Sequence, residues 1–451
     1  MIPASTSSAT SAAPAASSSA APRRSLGLAA ATALVVGEVI GVGIFLTPAS
    51  MAKSLGSPLL VLGVWLALGM TALGGALCYG ELAARYPQNG GGYVYLREAY
   101  GKRVAFLYGW KCMLVMDPGL AAALATGLAA YVVALAPGLP ARGVAIGILL
   151  AAAVANALGL RVAATLARAL TFAKVGLLGL IVAWGFGGGL GDGARFLPLA
   201  ARRAGSGPLL PALAGATVAA FFSFGGWWDV SKVAGEVREP QRTLPRALAW
   251  GVALVTVIYI ATSAVFVYLV PLAAVDSGET FAAQAGTALF GARGAQVLSL
   301  VVILCVASSL LALMTAAPRV YYAMARDGIG VGALGALHPR TGAPLRAIAI
   351  QAGLACFLVA VGRFDQIVAY FIFVTVLFLG ASVAALFALR RRGPAPSYIT
   401  PAFPLPAIAF LAMIAVLLAL LAAGRPVQAA SGLAITALGI PVYSALQPKR
   451  T

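Results

Sequence analysis

From residue 26 onward, long apolar runs alternate with short polar loops. A helix needs about 20 residues to cross the hydrocarbon core of a bilayer. Runs of that order occupy 27–54, 58–84, 102–135, 142–158, 163–186, 211–236, 244–270, 295–325, 345–361, 365–389, 404–423 and 427–446. The pattern predicts an all-α polytopic membrane protein with twelve transmembrane helices, 142–158 and 345–361 being the shortest. Residues 1–25 are mostly Ala, Ser, Thr and Pro, with no acid and no apolar core. They read as a disordered cytoplasmic tail and lack the hydrophobic stretch of a signal peptide.

An even number of crossings returns both termini to one side. With the N-terminus placed in the cytoplasm, 21 of the 31 Lys and Arg residues fall in cytoplasmic segments and 8 in the opposite loops, with Lys111 and Lys174 inside spans. This is the bias of the positive-inside rule. It predicts an integral protein of the plasma (inner) membrane with both termini cytoplasmic.

Composition agrees. Hydrophobic residues make up 61% and charged residues 10%, against about 25% charged in soluble domains, and the mean hydropathy is +0.96. A water-soluble enzyme, a disordered chain and a β-barrel of alternating polarity are excluded. The net charge of +19 follows from loop topology and contact with anionic membrane lipids, so it requires no nucleic acid.

Cys78, Cys112, Cys305 and Cys356 all lie in apolar runs and read as free core thiols. His338 lies in a polar loop, so no histidine-based triad or metal site is available. A membrane-embedded enzyme would want clustered acids or a buried histidine, and a channel would want rings of like residues. The scattered acids supply neither. No metal or cofactor is expected, and no obligatory protein partner is visible.

Two spans carry paired glycines at mid-membrane. The first has Gly37-Glu38-Val39-Ile40-Gly41-Val42-Gly43-Ile44-Phe45, and the sixth has Phe221-Phe222-Ser223-Phe224-Gly225-Gly226-Trp227-Trp228-Asp229. Glycine weakens a helix by about 1 kcal/mol relative to alanine. Backbone opened in lipid costs several more unless it faces a cavity. Close helix packing can also use Gly-x-Gly, but interruptions at matching positions of two halves point to a transporter binding site. The offset between spans one and six fits two repeats of five.

These segments resemble the amino acid–polyamine–organocation (APC) superfamily, and within it the L-type amino acid transporter (LAT)-like group. Four stretches carry the resemblance in order. The first is Gly41-Val42-Gly43-Ile44-Phe45 with Thr47-Pro48. The second is Tyr79-Gly80-Glu81-Leu82 with Pro87 and Gly90-Gly91-Gly92-Tyr93-Val94-Tyr95. The third is Phe222-Ser223-Phe224-Gly225-Gly226-Trp227 with Gly235-Glu236-Val237-Arg238-Glu239-Pro240 and Leu244-Pro245. The fourth is Pro318-Arg319-Val320-Tyr321 through Ala325-Arg326-Asp327-Gly328 to His338-Pro339. The likeness covers about residues 26–390 and, more loosely, the last two spans.

The resemblance implies a five-plus-five inverted repeat of the LeuT type, with broken helices 1 and 6. Residues 26–186 form the first repeat, 211–390 the second, and 404–446 add helices 11 and 12. It implies an amino acid transporter in which the unwound parts hold the substrate. Backbone N–H groups of Gly41, Val42 and Gly43 would face the carboxylate at a helix N-terminus. Carbonyls of Val39, Ile40, Phe222, Ser223 and Gly225 would face the ammonium. Phe222 would be the aromatic gate. Many relatives have serine where this chain has Val42, so a hydroxyl contact to the carboxylate is missing.

Ionisable residues inside spans are costly and usually functional. By resemblance, Lys174 occupies the cation position of sodium-coupled relatives of the fold. An ammonium there would bridge the first and eighth spans and imply sodium-independent transport. The alternatives are a lysine snorkelling to an interface and one that loses its proton near neutral pH and so couples to protons. Members of the family often exchange one amino acid for another. Glu38 lies one turn before Gly41, where relatives mostly have a small polar residue. It could favour a cationic substrate, titrate in a proton-coupled symporter, or pair with Lys174 or Lys111. Lys111, Asp117, Asp229 and Lys232 read as structural charge pairs. The charges of 236–240 read as salt bridges of an inner gate.

Overall fold

A computed structural model of the chain describes residues 24–203, 206–272, 278–362 and 364–446. Of the segment expected to be disordered, residues 1–23 lie outside the described residues. Ser25 is held in place by the fold, its N–H donating to Glu236 O at 2.8 Å.

The helices run α1 (Leu28–Val39), α2 (Gly43–Leu55), α3 (Pro58–Arg85), α4 (Gly92–Tyr100), α5 (Lys102–Lys111), α6 (Asp117–Leu135), α7 (Ala141–Ala157), α8 (Leu160–Gly187) and α9 (Leu209–Ser223). They continue as α10 (Pro240–Leu269), α11 (Gly278–Phe290), α12 (Gly294–Ala316), α13 (Pro318–Arg326), α14 (Leu345–Val361), α15 (Phe364–Leu389), α16 (Leu405–Gly424), α17 (Pro426–Ala437) and α18 (Gly439–Leu446). A π-helical turn, Cys112–Met116, joins α5 to α6, and a 3₁₀ segment, Trp227–Glu236, follows α9.

Among the described residues, nine helical stretches are long and apolar enough to cross a membrane, ten when the bent pair α1–α2 counts as one span. α7 and α14, at 17 residues each, are apolar but shorter. All of these fall on the apolar runs of the sequence. Two helices do not: α4 and α11 lie in segments that read as loops.

Polarity is inverted relative to a soluble protein. Leu66, Phe172, Leu180, Leu210, Trp250 and Phe357 are exposed, whereas Lys111, Asp117, Lys174, Lys232 and Arg319 are buried. Large contiguous apolar surface of this kind marks contact with lipid. α1 sits at the centre, against α8, α10 and α12, and α3 runs along α10.

Both glycine-bearing spans are interrupted. α1 ends at Val39 and α2 begins at Gly43, their axes bent by 44°. α9 ends at Ser223. Phe224 turns inward between Trp65 and Tyr259, with ring centroids at 5.9 and 5.2 Å, and Gly226 takes φ +107°. The chain then proceeds as 3₁₀ turns instead of a second α-helix.

The two interrupted segments are also joined at one end. Leu26 and Val237 form a parallel bridge. Leu26 N–H donates to Glu236 O at 3.0 Å, and Arg238 N–H donates to Leu26 O at 2.8 Å.

Candidate substrate site

A cavity of about 490 Å³ lies where the two interruptions meet. Glu38, Val39, Gly41, Val42, Gly43, Phe222, Ser223 and Gly225 all line it. Of the substrate-binding residues expected there, Ile40 does not; it is fully buried, as is Lys174, the expected cation-site substitute.

The donors come from a helix start. A helix beginning at Gly43 leaves its first N–H groups without intrahelical acceptors, and these carry the positive end of the helix dipole. Gly41 N–H is already engaged with Val39 O at 2.9 Å. Among the described residues, the N–H groups at this helix start that have no backbone acceptor therefore begin at Val42.

The carbonyls are less free than their position in the sequence suggests. Val39 O and Ser223 O lie 2.9 and 2.8 Å from the Tyr259 hydroxyl, which spans both interruptions. Phe222 O accepts from Gly225 N–H at 2.9 Å. Ile40 O accepts from Lys174 Nζ at 2.6 Å and from Ser309 Oγ at 3.2 Å.

Lys174 Nζ also donates to Gly37 O at 2.6 Å and lies 3.5 Å from Cys305 O in α12. The lysine does not snorkel to an interface. It ties α1 to α8 and reaches α12.

Phe222 is 38% exposed, its ring edge-on to Phe221 with centroids 5.8 Å apart. The opposite walls are Leu120 and Leu124 of α6, with Ile372 and Val376 of α15. Trp228 and Asp229 also reach the cavity. The 3₁₀ turns that bring them there have no signature in the sequence.

Lys232 Nζ bonds Asp229 Oδ2 at 2.9 Å and reaches Asp117 Oδ1 at 3.5 Å, as the spacing of Asp229 and Lys232 suggested. Asp117 also accepts from the Tyr321 hydroxyl at 3.1 Å. Lys111 does not bond Asp117. It donates to Thr375 Oγ1 and Met116 Sδ. Glu38 forms no ion pair with either lysine among the described residues.

Beyond the cavity, Glu236 pairs with Arg319 at 2.9 Å, both buried, and Asn89 joins through Glu236 Oε1 at 3.2 Å. Glu239 and Arg242 stay on the surface at 3.8 Å. His338 is satisfied within its loop by Thr341, and the four cysteines are free thiols.

A family model described as amino acid permease matches residues 26–446. The chain belongs to the amino acid permease family. Its relatives agree over nearly the whole length. It is 28% identical to the serine/threonine exchanger SteT of Bacillus subtilis (strain 168), over 95% of this chain and 98% of that protein. It is 30% identical to the large neutral amino acids transporter small subunit 2 of Homo sapiens, over 93% and 80%. It is 28% identical to the Asc-type amino acid transporter 1 of Mus musculus, over 93% and 81%. The family and these relatives are transporters, not enzymes, and the permease fold is an integral membrane one.

Proposed function

We propose that this permease is a sodium-independent amino acid exchanger working by alternating access. The observation that carries the reading is a cavity formed by both interruptions, with a helix N-terminus on one side and the acidic oxygens of Glu38 and Asp229 on the other. A zwitterion has the complementary poles. Phe222 acts as the gate over the substrate, and apolar walls from α6 and α15 suit a neutral side chain. The exchanger named among the relatives supports antiport.

The transmembrane arrangement that goes with this function is twelve spans in a five-plus-five inverted repeat, 26–186 and 211–390, with two more spans in 404–446. The protein sits in the plasma (inner) membrane with both termini cytoplasmic. The small-molecule substrate and membrane lipids are the partners required.

Sodium independence rests on Lys174. Its side-chain nitrogen bonds the carbonyls of Gly37 and Ile40 and reaches α12, so a protein donor stands where a cation would otherwise join these elements. Proton-coupled symport of an amino acid is the second reading, favoured by Glu38 lining the cavity.

The test is uptake of labelled alanine, leucine and lysine into proteoliposomes, with and without internal amino acid, sodium and a pH gradient. Exchange without sodium is expected, and Lys174→Ala is expected to reduce it at least about tenfold, given roughly 1.5–3 kcal/mol for each charged hydrogen bond lost. Strict sodium dependence, or full activity of the Lys174→Ala variant, would overturn the reading.

A further inference from the structure

Two acids face each other across the interruptions. Glu38 comes from α1 and Asp229 from the 3₁₀ segment, and both line the cavity. Asp229 is 3% exposed. Asp229 N–H donates to Gly226 O at 2.9 Å, so both acids adjoin Gly226 at the cavity wall, and Glu38 Oε1 and Asp229 Oδ1 are both buried acceptors with no donor among the described residues. Gly226 lets Glu38 lie directly against the second interruption, since a Cβ there would lie 2.7 Å from Glu38 Cγ.

Two buried carboxylates on one cavity wall, each with an oxygen that no donor meets, are relieved when one of them carries a proton. Like charges this close in a desolvated site do not both stay ionised without a cation between them. Lys232 does not fill that place. It bonds the other oxygen of Asp229 and divides its charge with Asp117, which Tyr321 also caps. Lys111 and Cys112 face the same region from α5 and the π turn, and the Lys111 ammonium bonds Thr375 and Met116 instead. Lys174 is held by carbonyls on the far side of α1.

We infer that Glu38 and Asp229 together hold one proton in the cavity and that the substrate's ammonium displaces it. The carbonyls of Val39, Phe222 and Ser223 at the cavity already accept protein donors, so an entering ammonium meets side-chain acceptors without donors in this pair. One cation replaces another, and the displaced proton leaves to water through the cavity. The displacement rests on the amino acid reading above, whereas the shared proton does not.

The test uses the purified full-length protein in two measurements. Infrared titration reads the protonated carboxyl stretch of the substrate-free protein. It is expected at neutral pH in the wild type and absent in Glu38→Gln, with Asp229→Asn as the second variant should the first fail to fold. Calorimetry with alanine in two buffers of different ionisation enthalpy then counts protons. About one proton released per alanine is expected for the wild type and none for Glu38→Gln, with affinity rising up to about tenfold per pH unit while the pair is protonated. A wild type without the band, or alanine binding that releases no proton and ignores pH, overturns the inference. A protein that shows the band but binds neither alanine, leucine nor lysine overturns the amino acid reading and the displacement with it, while the shared proton stands on the band.

Discussion

Gly41 and Gly43 sit two residues apart in one motif, but their surroundings separate them. A Cβ on Gly43 would lie 2.7 Å from Ser223 Oγ, 2.9 Å from Ser223 Cβ and 3.1 Å from Ser223 Cα. The last atom is backbone, so no rotamer change relieves it, and the start of α2 must part from the end of α9. Ordinary carbon contacts sit at about 3.5–4.0 Å, so several tenths of an ångström must open. Overpacking of this kind costs about 1–3 kcal/mol, against a gain of up to about 1 kcal/mol from alanine's helix propensity. The displacement also breaks the 2.7 Å bond between Ser223 Oγ and Thr47 Oγ1. On Gly41, the nearest atoms are Ser309 Oγ at 3.3 Å and Ser309 Cβ at 3.8 Å, so the side chain has to give by only a few tenths of an ångström and no backbone atom is in the way. Gly43→Ala is therefore expected to weaken substrate binding about tenfold, the equivalent of 1.4 kcal/mol, while Gly41→Ala stays within about 0.5 kcal/mol of wild type. Affinity by calorimetry and initial uptake rate in proteoliposomes measure both variants. Equal effects of the two substitutions, or a wild-type Gly43→Ala, would refute the claim that the interruptions abut at Gly43 and Ser223.

Two further outcomes follow from buried partners. Tyr259→Phe removes the hydroxyl shared by Val39 O and Ser223 O. It should cost about 1–2 kcal/mol, read as lower substrate affinity with folding preserved, and unchanged affinity would show that the hydroxyl does not hold the interruptions together. Arg319→Met strands Glu236 in a buried site, which should lower stability by about 3–5 kcal/mol. Thermal unfolding should show partial recovery in the Arg319→Met, Glu236→Gln double variant, and no recovery would argue against the pair.

The apolar runs foretold the long helices because lipid imposes a length and composition that water does not. The interruptions were legible because glycine pairs in mid-membrane have few uses. Lys174 was legible because an isolated charge in an apolar run stands out. The carbonyls it bonds, the Tyr259 hydroxyl and the meeting of Glu38 with Asp229 were not, since each joins residues dozens to more than a hundred positions apart. The 3₁₀ course after Gly226 was hidden too, because Trp228 and Asp229 have no local pattern that sets them apart from an α-helix. α4 and α11 were missed for a simpler reason: the count of apolar runs looked only for lengths able to cross the membrane.

The bridge between Leu26 and Val237 sets a mechanical rule. It fastens the entry of the first interrupted rod to the exit of the second, so neither can swing on its own while the bridge holds. Any tilt that uncovers the cavity on that side carries both rods together, as a single lever with the strap as its knot.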